Sequence, residues 1–149
     1  MSLMEKAIEI AKDSGAEVPV GAIILKNGEI ISTACNEREK TNDISAHAEI
    51  IAIRQAEATL GNWRLDECEL YVTLEPCPMC AWAILQSRIK SVYFGSYDTQ
   101  YGAFGSALDL RNIGTGANSK LKVFGGIMEK ECDNIIETFW KDKRAKYEN

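Results

Sequence analysis

Histidine is nearly absent from this 149-residue sequence: His47 is the only one. A metal site built on two or three imidazoles therefore cannot be assembled, and a Ser-His-Asp triad would have to take His47 as its base. If His47 instead holds a metal, any general base must be a carboxylate, a lysine, a tyrosine or a thiol. Long apolar runs are missing too. No stretch of about 18 or more apolar residues occurs, so the sequence offers no membrane span. Near the N-terminus, Glu5, Lys6 and Glu9 interrupt the apolar residues as in an amphipathic helix and not as in a signal peptide, so the expected location is cytoplasmic. Positive charge is short: 17 basic against 22 acidic residues leave a net charge of −5, a poor start for a phosphate binder. The exception is residues 138–149, where Lys141, Lys143, Arg144 and Lys146 face Asp142 and Glu148, a local net of +2. Internal repeats and low-complexity tracts are also lacking.

What is present is ample material for a core. Hydrophobic residues make up 46% of the chain, and its length suits a single domain over residues 1–149. Five cysteines in a chain without a leader read as reduced thiols, not as a disulfide framework. Cys77 and Cys80 are the only close pair. Cys35, Cys68 and Cys132 are expected in or beside the core, because free cysteine buries readily.

Met4, Ala7, Ile8 and Ala11 predict a first helix closing near Gly15. A strand is expected over 18–25, a hairpin at Asn27-Gly28 and a returning strand over 29–34. After a polar loop, a helix is expected over 46–60, with Ser45 as its cap and Gly61 as its stop. Further strands are predicted over 69–74, 91–95 and 121–124, with helices from Pro78 to about residue 88 and over 127–147. Residues 96–120 form a long Gly-rich connection, a length that suggests function. After the hairpin, helices alternate with strands. The expected fold class is α/β, a three-layer α/β/α sandwich around a mixed, roughly five-stranded sheet.

Two stretches carry chemistry: His47-Ala48-Glu49 and Pro76-Cys77-Pro78-Met79-Cys80. Both fall at expected helix N-termini, at the strand-to-helix edge of the sheet, so they can meet in space. Cys77 and Cys80, three apart, leave one helix face together, and the positive helix end favours thiolates. One imidazole and two thiolates fill three positions of a zinc ion and leave the fourth for water. Glu49 then serves as the proton carrier outside the metal shell. A His-x-Glu with a later Pro-Cys-x-x-Cys is the known signature of zinc nucleobase deaminases. Other readings stay open at this point. His47 alone could cap a helix, the two thiols alone could form a redox pair, and Cys68 or Cys132 could close a purely structural zinc site.

The chain resembles the bacterial tRNA-specific adenosine deaminases, within the cytidine deaminase-like superfamily. The resemblance runs through residues 17–22, Asn36, residues 46–49, Asn62-Trp63-Arg64-Leu65, residues 70–80, Ser87-Arg88-Ile89, Phe94-Gly95, Asp98, Gly102-Ala103 and Gly105-Ser106. It implies the cytidine deaminase-like fold, one Zn2+ per chain on His47, Cys77 and Cys80, and Glu49 as catalytic proton shuttle. It further implies substrate contacts from Asn36, Asp98 and Asn118; Ala48, beside the expected metal ligand, and Trp140, an aromatic next to the basic set of the terminal helix, are further candidates for substrate contact. The implied reaction converts adenosine to inosine at the wobble position of a tRNA anticodon loop, whose unpaired bases are cheap to splay into a pocket. A homodimer is also implied, and the apolar surface of the helix after Cys77 agrees with one. Two departures from the family pattern stand out: Asn118 is followed by Ser119 where a histidine is usual, and Trp82 occupies a place usually small. The alternatives are a deaminase of a free nucleobase such as guanine or cytosine, which shares the zinc motifs, and a non-catalytic zinc-containing partner subunit. The second usually lacks the glutamate that stands here as Glu49.

Overall fold

The computed structural model describes residues 1–113 and 120–147. The predicted apolar stripe of Met4, Ala7, Ile8 and Ala11 is the buried face of α1 (Leu3–Ala11). Ser2 and Glu5 cap this helix reciprocally, the Ser2 hydroxyl accepting the Glu5 N–H and the Glu5 carboxylate accepting the Ser2 N–H. Strand β1 (Gly21–Lys26) starts later than residue 18, because Pro19 has no N–H for a ladder. Asn27 and Gly28 turn the chain with φ of 51° and 79°, the left-handed pair that a two-residue hairpin requires. The returning strand is β2 (Glu29–Cys35).

The loop that follows contains one helical turn, α2 (Arg38–Thr41), and then α3 (Ala48–Leu60). Ser45 does not cap α3. Its hydroxyl donates to Asp43 Oδ1, and His47 takes the N-cap position with its ring making no capping bond. That shift releases the imidazole for other work. The remaining elements are β3 (Cys68–Leu74), α4 (Pro78–Gln86), β4 (Ser91–Ser96), β5 (Lys122–Phe124) and α5 (Glu129–Tyr147). Pro78 occupies the first turn of α4, where its missing N–H costs nothing.

The five strands form one mixed sheet in the order β2-β1-β3-β4-β5. β1 is antiparallel to both β2 and β3, whereas β3, β4 and β5 run parallel. Strand alternation splits the core in two. Ala22, Ile24, Leu70, Val72, Val92 and Phe94 pack against α3 and α4 on one face. Ile23 and Leu25 pack with α1 and with Cys132 of α5 on the other. This is the expected three-layer α/β/α sandwich. Each fully buried side chain of the Ile84 or Leu85 kind contributes roughly 1.5–3 kcal/mol relative to exposure.

All five thiols are free, with Cys68 and Cys132 buried and Cys35 half-buried, as the composition suggested. Among the described residues no helix is long and apolar enough to cross a membrane. The parallel strands β3 and β4 end side by side, Leu74 opposite Ser96. Segments leaving the carboxyl ends of parallel strands diverge and open a crevice, and the site lies there.

Candidate metal centre and cleft

His47 and Cys77 hold the same local position. Each is an N-cap residue with extended backbone, φ −75° and ψ 151° for His47, φ −74° and ψ 173° for Cys77. Their carbonyls begin the helical ladders, accepting from Ile51 and Ala81 at 3.0 and 2.8 Å. Two helix N-termini thus meet at one edge of the sheet. The His47 Nδ1 lies 3.7 Å from Cys77 Sγ and 3.5 Å from Cys80 Sγ, and the three donor atoms all fall within 4.8 Å of one another. Zinc with ordinary bond lengths to nitrogen and sulfur in tetrahedral geometry separates those atoms by roughly 3.6 Å. The donor set therefore fits zinc in kind and in spacing. Among the described residues no fourth His, Cys, Asp or Glu joins the cluster. Cys68 and Cys132 do not close it, and the set is that of a site with one open position.

The electrostatics agree. The Cys80 thiol donates toward Cys77 and draws the Cys77 thiol down to about 4, with His47 helping and burial opposing. The same bond and burial push Cys80 strongly up, so the two thiols resist ionising together without a cation between them. His47 is raised by its bond to Cys77. Glu49 lies in the first turn of α3 and is 4% exposed. Burial lifts its carboxyl to about 7, and the charge on Cys77 adds to the rise. Two thiols and a carboxylate crowded in this way can all be ionised only with a cation among them.

His47, Glu49 and Cys77 open onto a cleft of about 840 Å³ that Asn36, Asp98 and Trp140 also line. Three residues expected to touch substrate are thus brought to the metal cluster, from three separate parts of the sequence. Asn36 is held in place: its Oδ1 accepts the Ala48 N–H at 2.8 Å, and its Nδ2 donates to the Val18 carbonyl at 2.9 Å. Ala48 itself is fully buried and off the cleft wall, its N–H used by Asn36. Asp98 Oδ1 accepts the N–H groups of Gln100 and Tyr101, both at 3.0 Å. Asn118 lies outside the described residues.

Sequence reasoning did not single out Arg38, Tyr97 and Tyr101, which also line the cleft. Only its place two residues after Asn36 could have drawn notice to Arg38. The α5 wall has two characters. Asp133 and Glu137 face the cleft, while the basic residues follow Trp140, and Lys143 sits 5.7 and 5.4 Å from the Phe139 and Trp140 ring centres.

Comparison with known proteins bears on this geometry. The cytidine and deoxycytidylate deaminase zinc-binding region matches residues 1–96. The tRNA-specific adenosine deaminase of Bacillus subtilis (strain 168) is 42% identical over 145 residues, covering 96% of this chain and 89% of that protein. A structure from a study of A-to-I editing by tRNA:A34 deaminases at the wobble position of transfer RNA superposes with a TM-score of 0.80. It is 39% identical and covers 89% of this chain and 96% of its own. A guanine deaminase from Bacillus subtilis is 40% identical with a TM-score of 0.62, over 65% of this chain and 66% of its own.

Proposed function

We propose that this chain, which belongs to the cytidine and deoxycytidylate deaminase zinc-binding family and within it to the tRNA-specific adenosine deaminases, converts adenosine to inosine at the wobble position of a tRNA anticodon. The observation that carries the reading is the shared cleft. His47, Cys77, the buried Glu49 and the Asn36, Asp98 and Trp140 walls all face one space, and Cys80 completes the donor set just behind it. Its volume of about 840 Å³ stands toward the upper end of the roughly 300–1,000 Å³ usual for ligand sites. That is more room than a free base needs and suits a base flipped out of a loop with its neighbours.

His47, Cys77 and Cys80 hold one zinc ion. Zinc supplies Lewis acidity that makes water nucleophilic near neutral pH. The reaction adds water at C6 of adenine and expels the exocyclic amine as ammonia. Glu49 accepts the proton that the water gives up and delivers it to ring N1; it then takes the second proton from the new C6 hydroxyl and passes it to the departing nitrogen, so that ammonia leaves as the C6 carbonyl forms. Its burial keeps competing water away and holds its carboxyl near neutrality, where taking and returning a proton cost similar amounts. Asn36, fixed by Ala48 and Val18, offers its remaining amide N–H to the substrate. Arg38 supplies positive charge at the cleft wall for phosphate.

The working unit is a homodimer of single-domain chains, 1–149. Met79 and Trp82 stand 39% and 41% exposed on α4, whose other face is core, and an apolar helix face of this kind is buried by a second subunit. A monomer in sedimentation at micromolar concentration would remove this part of the reading. Unpaired thiols and a tRNA substrate support a cytoplasmic location.

The test pairs the unmodified protein with a variant carrying Lys141→Ala, Lys143→Ala and Arg144→Ala. Each is assayed on an anticodon stem-loop and on free adenine, guanine and cytosine. Inosine should form on the stem-loop, and the triple variant should weaken binding and flatten its log–log salt dependence by about two to three units. Turnover of a free base, with none on the stem-loop, would replace the reading with a free-base deaminase.

A further inference from the structure

We infer that Glu75 is a positioning residue that clamps the substrate-facing loop 97–106 to the zinc-bearing helix; the inference rests on the deaminase reading. Glu75 follows β3 directly, stands two residues before Cys77, and is 2% exposed. Its Oε1 accepts the Asp98 N–H at 3.2 Å and the Ser106 hydroxyl. Its Oε2 accepts the N–H groups of Phe104 and Ser106 at 3.1 and 3.2 Å. Four donors converge on one side chain, and among the described residues no cation forms an ion pair with it.

The donors come from both ends of one segment. Asp98 stands near its start, Phe104 and Ser106 at its close, and the stretch 97–101 between them lines the cleft. Asp98 shapes that stretch from within by accepting from Gln100 and Tyr101. Tyr101 is 63% exposed, so packing does little to hold it and its placement depends on the backbone beneath, whereas Tyr97 also meets the Phe94 ring edge-on at 5.1 Å. Gly102 passes so close to Glu75 that a β-carbon there would strike the carboxylate. The loop is drawn tight around this one group. Since Glu75 and Cys77 are nearly adjacent, the carboxylate sets the distance between the wall that meets the substrate and the metal donors on α4. One further tie, the Ala103 N–H to the Pro76 carbonyl at 2.9 Å, keeps the loop near when the clamp is loosened.

Glu75→Gln preserves shape and removes half of the accepting capacity. All four partners donate, so the new amide NH2 must face a donor, leaving buried groups unpaired. The test uses the zinc-loaded full-length protein. For Glu75→Gln, KM on an anticodon stem-loop should rise about tenfold or more, while kcat moves less than about threefold and zinc stays at one per chain. Hydrogen exchange at the amides of Asp98, Phe104 and Ser106 should accelerate, with α3 and α4 unchanged. Ser106→Ala, which removes one donor and leaves the backbone bonds, should shift the same quantities the same way by less; it also serves if Glu75→Gln does not fold. Unchanged exchange and KM in the variants would overturn the inference. So would loss of zinc, or exchange that quickens equally across α4, because Glu75 would then support the metal helix and not the loop. Absence of stem-loop turnover by the unmodified protein would sink the deaminase reading, whereas the exchange measurements would still decide the clamp.

Discussion

The two ends of the parallel strands treat charge in opposite ways. At the carboxyl end, Glu49 and Glu75 are 4% and 2% exposed. Among the described residues neither lies within ion-pair distance of a lysine or arginine. At the amino end a smaller hollow of about 480 Å³ is lined by Arg64, Asp66, Glu67, Arg88, Lys90 and Lys120. There Arg64 pairs with Asp66 at 3.0 Å and Lys90 with Glu67 at 3.7 Å, with half or more of most of these side chains in water. Exposed ion pairs of this sort cost little and contribute little. Burying a carboxylate without a cation costs several kcal/mol unless other groups offset it, and sequences keep such groups where chemistry uses them. Glu75 is offset by four hydrogen-bond donors. For Glu49 the offset is its raised proton affinity, the property that a proton shuttle needs.

The sharpest break in that contrast is Cys80→Ser. A hydroxyl is a poor replacement for a buried thiolate on zinc, and no fourth donor stands by to substitute among the described residues. Zinc should fall from one per chain to nearly none, and deamination should vanish with it. Metal bound at 100–1,000 times its Kd contributes about 3–4 kcal/mol, so Tm should drop by roughly 10 °C. Elemental analysis and calorimetry on the same sample check this. Zinc retained in full would remove Cys80 from the ligand set.

Glu49→Ala sharpens the comparison differently, because it removes a buried charge without touching a ligand. Turnover should fall by about 10⁴-fold or more, the upper range for a general acid-base group, since one carboxyl serves both proton relays. Zinc should remain. Stability should hold or improve, because a carboxyl whose burial opposes its charged form is replaced by a methyl group. Single-turnover rates and zinc content decide it, and a rate within tenfold of the unmodified protein would assign the proton to another group.

The cleft end was more legible in the sequence than its loops were. His47, Glu49, Cys77 and Cys80 stand in two short motifs whose spacing alone states their chemistry, and the structure brings them together. The sheet was legible because short apolar runs stand between turn signals and Asn27-Gly28 marks the first hairpin. The misplacement was local: Ser45 looked like a cap, but Asp43 takes its hydroxyl and the cap moves to His47. The role of Glu75 could not be read, since its partners lie 23 to 31 residues away in a loop with no periodicity. Arg38 and Tyr101 reach the cleft only through the path of connecting loops. Trp140 was legible as an aromatic near a basic helix end. Its place on the cleft wall depends on how α5 docks on β4, which depends in turn on Gly95 leaving room for Cys132.

The smallest effect belongs to the amino end, where the comparison predicts near-silence. Lys90 and Glu67 form a 3.7 Å pair with side chains 52% and 67% exposed. Water screens such a pair, and ordering two long side chains offsets much of the attraction. A double-mutant cycle of Lys90→Ala and Glu67→Ala should therefore give a coupling of about 0.5 kcal/mol or less. Zinc content and stem-loop turnover should not change. Glu67 adds an internal check, since its backbone has φ of 63°. Glu67→Gly removes the same charge while relieving a left-handed residue, and should come out more stable than Glu67→Ala by about 1 kcal/mol. If the charge mattered more than the backbone, the two substitutions would destabilise equally. A coupling above about 2 kcal/mol, or a loss of turnover in Lys90→Ala, would mean that the amino-end hollow serves the reaction too. The division of the sheet into a chemical end and a solvated end would then be wrong.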